Sequence, residues 1–180
     1  MVYDGSIVKR TLYSLRKRLN ENSNVINVQT EEGHVFNATC TFHPPASDLD
    51  ISNFEKQTGF LLPDDYIEFL KISNGCRLFD DINYGGEIEL YSLDQIIEYN
   101  HNLYDEFEGC YDIAYIYQDN LVINSKLVSQ NKKNYLFWKG HIEQFEDAKP
   151  LEMSFELWFD RFVTCQGAKF WWWPIYTAEL

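Results

Sequence analysis

No stretch of this chain approaches the roughly 20 apolar residues that span a bilayer. The N-terminal Ile7, Val8, Leu12, Leu15 and Leu19 are interleaved with charges, so neither a membrane helix nor a secretory signal is read there and a cytoplasmic location is expected. Cysteine is sparse: the four residues at 40, 76, 110 and 165 form no Cys-x-x-Cys pair, which leaves a disulfide framework or zinc ribbon without support and predicts reduced core thiols. The chain also lacks a Gly-x-Ser-x-Gly elbow, a phosphate-cradling Gly-rich loop and a His-Glu-x-x-His helix. Cys40-x-x-His43 is half a zinc site with no second half nearby. Glu31/His34 and Glu98/His101 share a Glu-x-x-His spacing, but Gly33 lies inside the first and breaks the helical geometry that paired ligands need. Asp64/Asp65 and Asp80/Asp81 are adjacent and point apart in helix or strand, so neither forms a proton-sharing dyad. No catalytic centre, metal or cofactor is expected.

Positive charge is missing from the middle of the chain. Between Arg77 and Lys126 there is no Lys or Arg, while Asp80, Asp81, Glu87, Glu89, Asp94, Glu98, Asp105, Glu106, Glu108, Asp112 and Asp119 all fall in that interval. With a formal net charge of -13, the protein is expected to bind neither nucleic acid nor anionic membrane nonspecifically. Solubility alone accounts for an acidic surface of mixed sign. A block this one-sided repels itself, and a basic partner that neutralises it is the functional alternative. The partner-binding candidates are therefore Asp80, Asp81, Glu87, Glu89, Asp94, Glu98, His101 and Asp105, of which 94, 98, 101 and 105 share one stripe of an expected helix.

What is present is enough for a core: 180 residues, 45% hydrophobic and 17% aromatic, with no low-complexity tract. Val8, Leu12, Leu15 and Leu19 keep helical spacing over 5–20, with Lys9, Arg10, Arg16, Lys17 and Arg18 mostly off that face. Such a basic helix suits a core-packed element with a solvated side better than a membrane-surface segment. Residues 25–30 and 34–42 read as strands of a hairpin about Glu31-Glu32-Gly33, and Pro44-Pro45 then interrupts regular structure. The organisation expected is an N-terminal helix and hairpin over 1–45, then a main unit over 46–180.

Within that unit, Ser47-x-x-Asp50 reads as a capping box, Gly59 as a helix end, and Pro63 as the start of a second helix whose Tyr66, Phe69, Leu70 and Ser73 share a face. Strands are expected near 76–79, 87–91, 113–117, 121–127 and 135–139, and helices near 93–104 and around Phe155, Trp158, Phe159 and Phe162. The class is α+β: a single domain with a central, mostly antiparallel sheet packed by about four to five helices. Three consecutive aromatics, Trp171, Trp172 and Trp173, cannot all face one core, so some should be half exposed and are further partner-binding candidates. Aromatics filling a wide gap between sheet and helices are the alternative. Trp138 and Trp158 read as core.

The string Ile51-x-x-Phe54-Glu55-x-x-x-Gly59-x-x-Leu62-Pro63-x-Asp65-Tyr66-x-x-Phe69-Leu70-x-x-x-Asn74-Gly75 is followed by Gly85-Gly86-Glu87-Ile88-Glu89-Leu90-Tyr91-Ser92-Leu93 and, as closing helix, Ser154-Phe155-Glu156-x-Trp158. Over roughly 51–162 this resembles the SUKH superfamily, which holds the Smi/Knr regulators of fungal cell-wall synthesis and many bacterial immunity proteins. The resemblance implies an α+β fold without a catalytic centre, in which Pro63, Tyr66, Phe69, Gly75 and Gly86 serve the fold. The first 45 residues, the Trp-rich tail and the absence of a Gly-rich turn at 118–120 depart from the family pattern. The expected function is an immunity protein that binds and neutralises a cognate bacterial toxin, a basic protein of nuclease type, through its acidic face; a regulatory protein-binding scaffold related to the cell-wall-synthesis regulators is the alternative.

Overall fold

The computed structural model describes residues 6–100 and 109–173. Eight strands form one sheet in chain order: β1 (Ile26–Gln29), β2 (Val35–Phe42), β3 (Cys76–Asp81), β4 (Ile88–Leu90), β5 (Cys110–Ile116), β6 (Asp119–Asn124), β7 (Leu136–Gly140) and β8 (Lys149–Pro150). Each is antiparallel to its neighbours. The helices are α1 (Ile7–Glu21), α2 (Asp48–Thr58), α3 (Asp64–Leu70), α4 (Leu93–Asn100), α5 (Ser125–Ser129) and α6 (Phe155–Thr164). The fold is α+β, with an antiparallel sheet, as the residue pattern predicts.

Local chemistry sets these boundaries. Ser6 caps α1, and Ser47 and Asp50 close a reciprocal capping box at α2, which ends on Gly59 in the left-handed conformation. The helix at 64 begins one residue later than the proline rule suggests, because Pro63 is extended and stands as the N-cap. The strand expected to run through Leu127 stops at Asn124, whose side chain accepts from Lys126 N and Leu127 N at 3.0 and 3.2 Å and turns the chain into α5. Gly75 has φ +86°, and a Cβ there would lie 2.7 Å from Ser92 N and 2.8 Å from Leu90 O, so no side chain fits.

The core lies between one sheet face and the helices. Val8, Leu12, Leu15 and Leu19 of α1 are buried, and α1 packs against α3 and α6. Tyr66 and Phe69 of α3 are fully buried, and the Phe155 ring stands 4.8 Å and 5.3 Å from theirs. Asp65 accepts from Tyr135 Oη and, at 2.9 Å, from Glu156 N, tying α3 to the edge of β7 and the first turn of α6. The N-terminal hairpin belongs to the same sheet, since β2 pairs with β3 along Ala38↔Asp81 to Phe42↔Cys76. Arg16, on the basic side of α1, donates to Ile72 O at 3.3 Å and covers the Phe42 ring at 4.5 Å.

Candidate functional site

The sheet register aligns two neighbouring rows of side chains that face opposite ways. One row, Cys76, Leu90, Ala114, Leu121 and Trp138, is buried under the helices. The next, Thr41, Arg77, Glu89, Tyr115, Asn120 and Lys139, crosses six strands on the other face and is polar throughout. Arg77 organises its near end. It forms a two-pronged contact with Asp80 at 2.9 and 3.2 Å, donates to Gly86 O at 2.7 Å and lies 3.6 Å from Glu89. Glu89 also accepts from Gln95 Nε2 at 2.8 Å. Gly86 must lack a side chain, since a Cβ would come 2.9 Å from Asp80 Cα.

The far end is a pocket of about 480 Å³ lined by Glu89, Tyr91, Tyr99, Tyr115, Lys139 and His141, with Asp112 at its base. A bulge between Asp112 and Ala114 places the Asp112 side chain on the polar face. Asn100 of α4 stands in for a neighbouring strand there, accepting from Asp112 N at 2.8 Å and donating to Asp112 O at 3.1 Å. Asp112 Oδ2 accepts from Asn120 Nδ2 at 2.8 Å and lies 3.5 Å from Lys139 Nζ. The two charged side chains are only 10% and 5% exposed. Burial pushes the Asp112 carboxyl up to about 6, against the opposing pull of Lys139, His141 and Asn120. Because Asn120 spends its amide on Asp112, its Oδ1 takes the 2.8 Å contact with His141 Nδ1, which must carry the proton. Asp112 Oδ1 has no hydrogen-bond partner among the described residues.

The residues singled out by charge are dispersed. Asp80 and Glu89 are half-buried and held by Arg77, and Asp81 caps its own turn by accepting from Asn83 N at 2.7 Å. Glu87, Asp94 and Glu98 are exposed, the last two on α4. His101 and Asp105 lie outside the described residues. Trp171 is half-buried with its ring 6.1 Å from those of Trp158 and Phe162. Trp172 and Trp173 are half exposed, but the Trp172 ring sits 4.8 Å from Trp138 and its Nε1 donates to Asp119 at 2.8 Å, while Trp173 Nε1 donates to Glu31. Charge counting overlooked Asn120, Tyr115, Lys139 and His141. A trace of them was legible: Lys139 interrupts an apolar strand, directly after Trp138.

The model of the SMI1/KNR4 family (SUKH-1) matches residues 45–161. The chain belongs to the SMI1/KNR4 (SUKH-1) family. Two similar proteins come from Bacillus subtilis (strain 168). The uncharacterized protein YnaB is 40% identical over 134 residues, covering 74% of this chain and 88% of YnaB. The uncharacterized protein YobM is 32% identical over 182 aligned positions, covering 97% of this chain and 96% of YobM. The SUKH-1 match thus begins after the N-terminal hairpin, whereas the likeness to YobM takes in nearly the whole chain. Among the described residues of this SUKH-1 protein, no helix is long and apolar enough to cross a membrane, and no three His, Cys, Asp or Glu side chains cluster as metal ligands.

Proposed function

We propose that this SUKH-1 protein is a cytoplasmic immunity protein that binds a basic toxin, of nuclease type, and does so by docking rather than catalysis. The carrying observation is a sheet with two unlike faces. Helices bury the apolar row, while the polar row crosses six strands and ends in a pocket walled by tyrosines and carboxylates together with Lys139 and His141. Exposed Glu87, directly before β4, and exposed Asp94 and Glu98 of α4 fall within the interval that has acids and no Lys or Arg. A toxin that grips a polyanion presents a basic groove, and an acidic face steers association with it and excludes like-charged partners. Family membership supports the reading, since SUKH proteins include immunity proteins.

The test is a search of the neighbouring genes for a basic toxin domain and co-expression of the chain with it; neighbours without such a domain count against the reading. Protection of the host cell and a stable complex that weakens with added salt are expected. A cell killed despite full expression of the protein, or a chain that instead associates with several host proteins and leaves the toxin active, overturns the reading in favour of a regulatory scaffold.

A further inference from the structure

The pocket over Asp112 is short of a donor. Its base is a carboxylate, nine-tenths buried, with one oxygen satisfied by Asn120 and Lys139 and the other, Oδ1, without a partner among the described residues. Glu89 and Glu143 add two more carboxylates to the lining, against Lys139 inside and Arg77 beside Glu89. Three tyrosines stand in the remaining wall, beside His141, Ile142 and Gln144. Tyr91 and Tyr99 meet edge to face at 4.8 Å, and Tyr115 stands at 84° to the His141 ring, 5.1 Å away. An anionic ligand would bring no donor for the orphaned oxygen and would meet the carboxylates of Asp112, Glu89 and Glu143. Lys139 already occupies the compact ammonium position, 3.5 Å from Oδ2 and 5.1 Å over the Phe145 ring. A flat, weakly hydrated cation that hydrogen-bonds through its edge and stacks through its face fits what is left.

We propose that this pocket receives an arginine side chain of the protein partner, with the guanidinium edge on Asp112 Oδ1 and its face against the tyrosine walls. This rests on the reading of the chain as a partner-binding protein and names the residue it grips. Binding of that arginine completes the hydrogen bonding of a buried carboxylate, so it contributes specificity beyond the diffuse attraction of the acidic surface.

N-acetyl-arginine amide, N-acetyl-lysine amide and N-acetyl-citrulline amide are titrated into the full chain and followed by amide NMR shifts. The arginine compound should move the resonances of Tyr115, Asn120, Lys139 and His141 with millimolar affinity, and the other two should bind at least about tenfold more weakly. Tyr99→Ala, at a side chain 49% exposed and so tolerant of truncation, should weaken the arginine effect severalfold with an unchanged melting temperature. Asp112→Asn should abolish it. Equal shifts from citrulline or lysine, shifts elsewhere on the surface, or no response to either substitution overturn the arginine pocket. Arginine binding without protection from toxin would sink the immunity reading and leave the pocket standing. Protection undiminished by Tyr99→Ala and Asp112→Asn would do the reverse.

Discussion

At Asp112 burial and pairing oppose each other. Desolvation favours the neutral acid, while Lys139 from β7, His141 beyond it and Asn120 from β6 favour the anion, with Glu89 of β4 and Glu143 also lining the pocket. Desolvation wins, so the folded carboxyl holds its proton up to about pH 6, where an unfolded one releases it near 3.8. Between these values the native state binds the extra proton, and stability from this group therefore falls as pH rises through the window and is restored below it. The side-chain carboxyl carbon should titrate at about 6 by NMR, and the stability of the native chain relative to Asp112→Asn should decline from pH 4 to 6. A midpoint near the ordinary carboxylate value would show that the site is wetter than its geometry. Phe69 is the simpler case, fully buried among the Tyr66, Phe155 and Phe159 rings. Phe69→Ala should cost about 3 to 5 kcal/mol in chemical denaturation, because the ring leaves a cavity that aromatic neighbours cannot close. Its role was visible in helical spacing. The role of Asp112 was not, because the bulge that turns it toward Lys139 has no local signature.

The elements divide in the same way between local and distant causes. The capping box of α2 and its Gly59 end follow from residues a turn apart, and they form where the spacing puts them. The end of β6 at Asn124 depends on a side chain turned back on its own backbone, which competes with a strand pattern that continues to Leu127. The β5–β6 connection carries a cost. Ile116 pairs with Asp119 across a two-residue turn, so Tyr117 and Gln118 both take positive φ, +45° and +71°, with no glycine at either position. Neither residue is enriched in that region, and an L-side chain there is unfavourable by about 1 to 2 kcal/mol. Gln118 is exposed, and its contribution to the fold is a backbone carbonyl accepting from His141 N at 2.7 Å, which glycine retains. Gln118→Gly should therefore raise stability by about 0.5 to 1 kcal/mol in a denaturant midpoint at unchanged slope. A loss of stability would mean that the glutamine side chain makes up in contacts what its backbone loses.

For the whole molecule the question is what an acidic surface of this extent does in solution. Part of it is internal: Asp80 and Glu89 answer Arg77, Asp112 answers Lys139, and Asp119 answers Lys169 at 3.2 Å. These pairs hold the strands and the Trp-rich segment in place, and reversing them would confuse stability with binding. Composition could not separate them from the rest because, apart from Arg77 and Asp80, which lie three residues apart, each pairing joins residues distant in sequence. Among the described residues, Glu87, Asp94 and Glu98 are the exposed acids of the same interval. Like-charged groups at a rim act chiefly by steering encounter, so their effect is read in the association rate and in its dependence on salt, with little change in dissociation. The triple substitution Glu87→Lys, Asp94→Lys and Glu98→Lys should leave the melting temperature within a few degrees. It should slow association with the toxin by about tenfold or more at low ionic strength, and flatten the slope of rate against salt. Stopped-flow association at several salt concentrations measures both. If the association rate and its salt slope are unchanged, encounter is not steered by this rim, and attention moves to the Trp172 and Trp173 edge, where two half-exposed indoles flank Asp119 and Glu31.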